Sequence, residues 1–470
     1  MIESLMRCRC RMLAVMLAGL TGMVMAQPVL PGRDGPRSPA VAAAPALPMP
    51  AAGTGTEAGG APTPSVSAQR IYAGAREQLV QVRTLLQGDS SQATVGSGFL
   101  VDARGLLLTN YHVVSTVALQ PQRYRLVYTT ASGQEGPLEL IAFDVVHDLA
   151  LVRVGDGGLA EVAPLVMRGA ERPLARGERI FSLGNPLDVG FAVMEGHYNG
   201  LVERSFYPNI FFGGSLSGGM SGGPALDEAG QVIGVNVATR RDGEQISFLV
   251  PAEFARQLLA QHAEAEPVGE DVYPEITRQL MEHQQALTER FMAQPWLPSP
   301  DQGYAVPVPQ EIFMRCWGRS TSDEDKGMRV RRSDCSMDTQ IFISERNRLG
   351  GIRMQHRWFD GRLIGPWRFA QQYSERFEGQ IFSSWRFGQR GETPRQCHER
   401  FVEQAGLTMR VVACLDAYKK LEGLYDLRLL VASVNQPEQG VQSVFSVSAV
   451  SYDNAMRLMH HFLEGFAWKG

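Results

Sequence analysis

Over residues 70–260 the apolar positions come in short runs punctuated by glycine, at 98–101, 106–109, 149–154, 180–183 and 232–237. Strands of that length with frequent turns predict an all-β sandwich or a pair of barrels. Residues 70–82, just before them, read as a helix or a first strand. The period then changes. Residues 251–263 read as a helix with proline at its first turn. After the break Pro267-Val268-Gly269, Ile276, Leu280, Leu287 and Phe291 recur at helical spacing and predict a helix over 273–292. Such a stripe is expected to pack on a neighbouring domain, and Pro295, Pro298 and Pro300 end it. Residues 301–470 differ in texture. Alternating stretches at 339–344 and 443–450 predict strands and 453–462 a closing helix, giving an α+β domain of unknown fold. Its Trp317, Trp358, Trp367 and Trp385 are expected in the core and its many arginines on a solvated face.

The ends add processing. Arg7, Arg9 and Arg11 precede an apolar run, and Val24-Met25-Ala26 resembles a small-residue cleavage site, so residues 1–26 read as an export signal. The run is shorter than the roughly 20 residues that cross a bilayer. No membrane span is expected after signal cleavage. Residues 27–69, rich in Ala, Pro, Gly and Thr, bury too little apolar surface to offset chain entropy and read as a disordered tether. The expected organisation is then a barrel domain at 70–265, a helical linker at 270–300 and a last domain at 301–470. A net charge of -4 over 470 residues gives no electrostatic reason to expect nucleic acid. Cleavage after Ala26 removes Cys8 and Cys10. Cys316, Cys335, Cys397 and Cys414 remain, and an even number in an exported chain implies two disulfides. Four cysteines permit three pairings. Pairing in sequence order is the expectation, and zinc is disfavoured because none of these has close C-x-x-C spacing.

Three segments carry chemistry: Leu108-Thr109-Asn110-Tyr111-His112, following Gly96-Ser97-Gly98; His147-Asp148-Leu149; and Ser217 to Leu226 around Gly219-Met220-Ser221-Gly222-Gly223-Pro224. A nucleophilic serine needs its hydroxyl exposed beside inward-turned amides, and glycines permit that turn. The amides of Gly219 and Ser221 are the expected oxyanion hole. Ser221 also needs a base, and the base an orienting group. His112 fits the first role and Asp148 the second, because a carboxylate entering an apolar strand needs a buried partner. Gly219-Met220-Ser221-Gly222-Gly223 also satisfies the G-x-S-x-G elbow of α/β hydrolases. That elbow requires a helix after the serine and acid and histidine downstream, neither of which fits here. His147 is expected to point away from Asp148 on an extended strand, without a role, and His197 to lie at the surface.

Together these segments, with Ser182-Leu183-Gly184-Asn185-Pro186 and Val232-Ile233-Gly234-Val235-Asn236, resemble the trypsin-like peptidase domain of the bacterial HtrA/Deg family over roughly residues 75–260. The resemblance implies a chymotrypsin-like double β-barrel with the triad His112, Asp148 and Ser221 in its cleft, and cleavage of unfolded envelope proteins without cofactor or metal. It also places Ser215 near the base of the specificity pocket and Asn236, Val237 and Ala238 in its wall, where no carboxylate favours Arg or Lys. A small or medium apolar residue is the expected preference. Two departures stand out. The family usually has Asn before the nucleophile, and digestive trypsins have Asp there, which pairs with a new N-terminus; this chain has the uncharged Met220, so activation by N-terminal processing is not expected. No PDZ-like carboxylate-binding loop follows the barrels.

The reading is thus a periplasmic or secreted serine endopeptidase acting on polypeptides, with residues 301–470 available to an envelope protein partner. The alternative is a protease-like binding or sensor module whose last domain carries the function, with the segment 198–214 holding the oxyanion hole misformed.

Overall fold

The computed structural model describes residues 65–470 apart from 156, 240–246, 299–302, 311–312, 322–326, 338–340, 345–346 and 383–390. The expected signal at 1–26 and nearly all of the tether lie outside the described residues, as does Trp385. A helix, α1 (Val66–Ala75), opens the described part, four residues before the expected start of the barrel domain. The hydroxyl of Ser65 caps it by accepting from the Ala68 amide.

Two closed six-stranded barrels follow. The first contains β1 (Leu79–Leu86), β2 (Gln92–Leu100), β3 (Leu106–Thr109), β4 (Tyr124–Thr130), β5 (Glu135–Asp144) and β6 (Leu149–Val154), with helix α2 (Tyr111–Leu119) after β3. The second contains β7 (Arg179–Gly184), β8 (Ala192–Leu201), β9 (Ile210–Gly213), β10 (Pro224–Leu226), β11 (Val232–Thr239) and β12 (Ser247–Pro251). The unbroken apolar runs have a direct cause. In β6, Ala150, Val152 and Val154 face the core of the first barrel, while Leu149 and Leu151 join a second core shared with Phe181, Leu183, Leu226 and Val235 of the other barrel. Strands buried on both faces lose the alternation that marks a half-exposed strand. Helix α3 (Ala252–His262) seals that shared core with Ala255 and Leu258.

Helix α4 (Tyr273–Met292) buries the stripe its spacing predicts, and it is more than a linker. Val272, Ile276 and Leu280 complete the core of the first barrel, while Leu287 and Phe291 join the core of the C-terminal region. That region is a seven-stranded antiparallel sheet in the order Met314–Ser320, Arg329–Met337, Ile352–Asp360, Gln439–Ser451, Leu424–Ser433, Leu407–Ala417, Gln396–Gln404. Helix α5 (Pro366–Phe382) covers one face through Phe369, Tyr373 and Phe377. The other face receives α4 and α6 (Tyr452–Glu464), with Leu458 and Phe462 against Leu429, Val431 and Phe445. Trp358 is buried there, but Trp317 and Trp367 are exposed, contrary to the core placement expected of them. They lie on an edge strand and in the first turn of α5, where no layer is left to cover them. Among the described residues no helix is long and apolar enough to cross a membrane.

Cys316 pairs with Cys335, and Cys397 with Cys414. In each case the two residues sit directly opposite on neighbouring strands, one of which is an edge of the sheet. Both edge strands expose most of their residues, so little burial holds them. A crosslink supplies what burial does not. Loops of this length give roughly 3 kcal/mol on chain-entropy grounds. Replacing Cys397 and Cys414 by serine should therefore destabilise the fold by about that amount. Amide hydrogen exchange should show the largest loss of protection at residues 396–404. Unchanged protection there would refute the role given to the crosslink.

Two buried histidines set the acid response. His283 on α4 accepts from the Tyr207 hydroxyl through Nδ1 and donates through Nε2 to the Gly350 carbonyl, each at 2.9 Å. His356 makes the same pattern with Ser443 and the Pro307 carbonyl at 2.8 Å. Burial holds both pKa values down to about 4, against an ordinary 6.5. Asp426 goes the other way, raised by burial to about 6. Below pH 6.5 the unfolded chain binds two protons that the fold refuses until about pH 4, so these groups lose stability as pH falls. Asp426 gains stability on acidification, but one group opposes two. The urea midpoint should fall between pH 6.5 and 4, and His283→Gln should flatten that dependence by close to one proton. An equal slope in wild type and variant would be incompatible with this linkage.

Candidate active site

Strand β3 is fully buried, and the chain leaves it through Asn110 into α2, placing His112 in the first helical turn. Asn110 does not cap the helix. Its side-chain amide donates instead to the Asp148 carbonyl at 2.8 Å. Asp148 closes the turn before β6 with φ of 56°, a left-handed conformation that costs energy for a residue with a side chain. The contacts that hold it there are specific. One carboxylate oxygen accepts the His112 backbone amide at 2.9 Å, and the other meets His112 Nδ1 at 2.7 Å. Because an ionised carboxylate only accepts, Nδ1 carries the proton and Nε2 keeps its lone pair. The two side chains are 16% and 8% exposed, so the pair is largely shielded from water.

Asp148 thus lies in a turn, and the expectation of an extended strand at His147 is corrected by it. His147 does point elsewhere, but for another reason. Its Nδ1 bonds Asp144 at 2.6 Å, and its ring stacks on Phe254 and meets the edge of Tyr207. Burial pushes the Asp144 carboxyl up, yet the His147 ring and the amides of His147 and Val146 outweigh this and leave it below its ordinary value. The turn is clamped from behind by Gln279 of α4, which accepts from the Val145 amide and donates to the Phe143 carbonyl.

Ser221 comes from the second barrel. Its loop is anchored by Met220, which is fully buried among Ile180, Ile210, Phe212 and Leu249. The loop crosses to the first barrel by backbone contact: the Ser97 amide donates to the Ser221 carbonyl at 2.8 Å. Ser97 also donates its hydroxyl to the Gly219 carbonyl at 2.7 Å while accepting the Asn185 amide at 2.9 Å. Gly222, at φ 86°, lies so close to Asn110 that a Cβ would stand 2.9 Å from its backbone nitrogen and collide with the Ser97 carbonyl. No other residue fits. Gly219 is equally constrained, at φ 90° against the Asn185 carbonyl. Its amide and that of Ser221 donate to no acceptor among the described residues. The Ser221 hydroxyl donates to the Val237 carbonyl at 2.9 Å.

The structure divides the residues expected at the specificity pocket. Ser215 and Val237 are half-buried. Ala238 pairs with Phe248 in the β11–β12 ladder. The Asn236 side chain is fully buried inside the barrel: it donates to the Leu183 and Met220 carbonyls and accepts from the Ser182 hydroxyl. It braces the serine loop. His197 lies exposed on β8. Among the described residues no cluster of His, Cys, Asp or Glu is placed to hold a metal ion. Ser97, Asn110 and Gln279 escaped the sequence reading. The first two lie inside the quoted motifs, where the glycines around Ser97 signalled a close approach. Gln279 is a polar residue on a helix with no local signal at all.

Residues 96–235 match the trypsin-like peptidase domain. A putative serine protease, HhoA, of Synechocystis is 33% identical over 172 residues, 35% of this chain and 41% of that protein. A probable periplasmic DegP-like serine endoprotease of Ectopseudomonas mendocina is 31% identical over 175 residues, 36% of this chain and 35% of the relative. The chain thus spans less than half the length of each. Among solved structures, a serine endoprotease from Yersinia pestis aligns at 22% identity and a TM-score of 0.36, covering 42% of this chain and 66% of that one. Residues 96–235 are a trypsin-like peptidase domain whose relatives are serine proteases of the HtrA/Deg kind.

Proposed function

We propose that this protein is a serine endopeptidase with His112, Asp148 and Ser221 as its catalytic triad. The observation that carries the reading is the two-point grip of the Asp148 carboxylate on His112, side chain and backbone together, next to the backbone contact that seats Ser221. In the reaction the Ser221 hydroxyl, which donates here to the Val237 carbonyl, turns to His112 Nε2, which takes its proton as the oxygen attacks a peptide carbonyl, and Asp148 stabilises the imidazolium. The Gly219 and Ser221 amides receive the oxyanion, each worth about 2.7–4 kcal/mol in the transition state. His112 then protonates the leaving amine, and water resolves the acyl-enzyme.

Met220 supports a constitutive loop. An acidic residue at that place needs a cationic partner to settle, whereas an apolar side chain needs only the barrel core it already occupies. Substrates are unfolded or exported polypeptides of the bacterial envelope. The two disulfides suit an oxidising, extracytoplasmic compartment. The half-buried Ser215 and Val237 favour a small or medium apolar residue before the scissile bond.

Wild type should react with a fluorophosphonate and cleave unfolded casein, and Ser221→Ala should do neither. Asp148→Asn should retain the fold but lower kcat by about 10⁴-fold, because the amide supports the wrong imidazole tautomer. Equal silence from wild type and Ser221→Ala would reject the enzyme in favour of a binding or sensor module.

A further inference from the structure

A piece of the C-terminal region packs on the first barrel beside His112. Strands Ile341–Ser344 and Asn347–Leu349 form a short hairpin outside the seven-stranded sheet. Side chains alternate along a strand. Ile341 and Ile343 therefore face one way, and both are buried, with Leu349, in the core of the first barrel. The Tyr111 hydroxyl donates to the Ile343 carbonyl at 3.3 Å, fastening the hairpin to the residue before His112. At its far end Gly350 accepts from His283, which reaches Tyr207 and through it the ring of His147 beside Asp148.

Phe342 faces the other way. Its ring centroid lies 5.0 Å from that of His112 with the planes tilted by 33°. Two rings tilted by 33° at that separation are too close to meet only edge to edge, so Phe342 lies over the imidazole. Proton transfer runs in the imidazole plane, through Nδ1 and Nε2. A neighbour on the face leaves that axis open while restricting rotation of the ring. Phe342 is only half-buried, and the Arg348 guanidinium lies 4.4 Å from its ring.

We propose that the paired strands Ile341–Ser344 and Asn347–Leu349 complete a substrate cleft beside His112. Phe342 is both a positioning residue for His112 and the apolar wall for the substrate side chain that lies across the imidazole, next to the residue in the specificity pocket. This inference rests on the peptidase reading. It assigns the C-terminal region a share in specificity, with an apolar side chain selected at that flanking position.

The test compares full-length wild type, Phe342→Ala and Phe342→Tyr. Each is titrated with a fluorophosphonate so that rates refer to active molecules, and each is profiled with peptides varied at the positions flanking the scissile bond. Phe342→Ala should lose roughly tenfold in kcat/KM for peptides with an apolar flanking residue and much less for those with glycine there. Its kcat should also fall, the mark of a loosened His112, and Phe342→Tyr should restore both. If wild type labels and cleaves but Phe342→Ala matches it on every peptide, the inference fails and the peptidase reading survives. Faster cleavage by Phe342→Ala would make the hairpin a plug and overturn the proposal. A wild type silent toward the probe would end the peptidase reading and this inference with it.

Discussion

The geometry depends on one close approach, where the backbone of the serine loop meets that of the first barrel at Ser97 and Asn110. The histidine and aspartate belong to one barrel and the serine to the other, so nothing local fixes their separation. The Ser97 amide and hydroxyl take two carbonyls of the serine loop, and the bare Cα of Gly222 lets the chains come that near. Around this junction the strained Asp148 backbone is held by Asn110, by its own carboxylate contacts and by the Gln279 clamp. A strained conformation persists only where surrounding contacts over-determine it.

Much of this was legible in the sequence. Short strands, the glycines of the serine loop and the order of His112, Asp148 and Ser221 are local signals, and local signals survive in a bare sequence. The stripe from Ile276 to Phe291 was equally clear, and α4 buries it along its whole length. What stayed hidden was long-range. The Asn236 side chain turns inward to satisfy three buried groups, partners that lie far from it in the sequence or across the serine loop. His147 escaped a correct account because the chain turns at Asp148 before β6, and a left-handed aspartate has no reliable mark in the sequence. Phe342 carries no signal at all: a single aromatic in an alternating stretch becomes part of the cleft only through the fold of the region around it.

The C-terminal region is joined to the barrels through their interior. Helix α4 contributes to two cores, and the cluster that fills the first barrel also takes in Ile341, Ile343, Leu421, Leu424 and Ala449. Association through shared apolar core differs from the polar, mobile contacts usual between domains of one chain. Its effect is to make the position of the His147–Asp148 turn depend on residues far along the sequence.

That dependence has a temporal side. A chain made from the N-terminus presents both barrels well before Ile341, Ile343, Leu349, Leu421, Leu424 and Ala449 follow to seal the first. Until then the apolar floor beneath α2 stands open to water, and the imidazole lacks the ring that rests against it. The hydrophobic interior of the first barrel is therefore finished only once residues from the last third of the sequence have joined it.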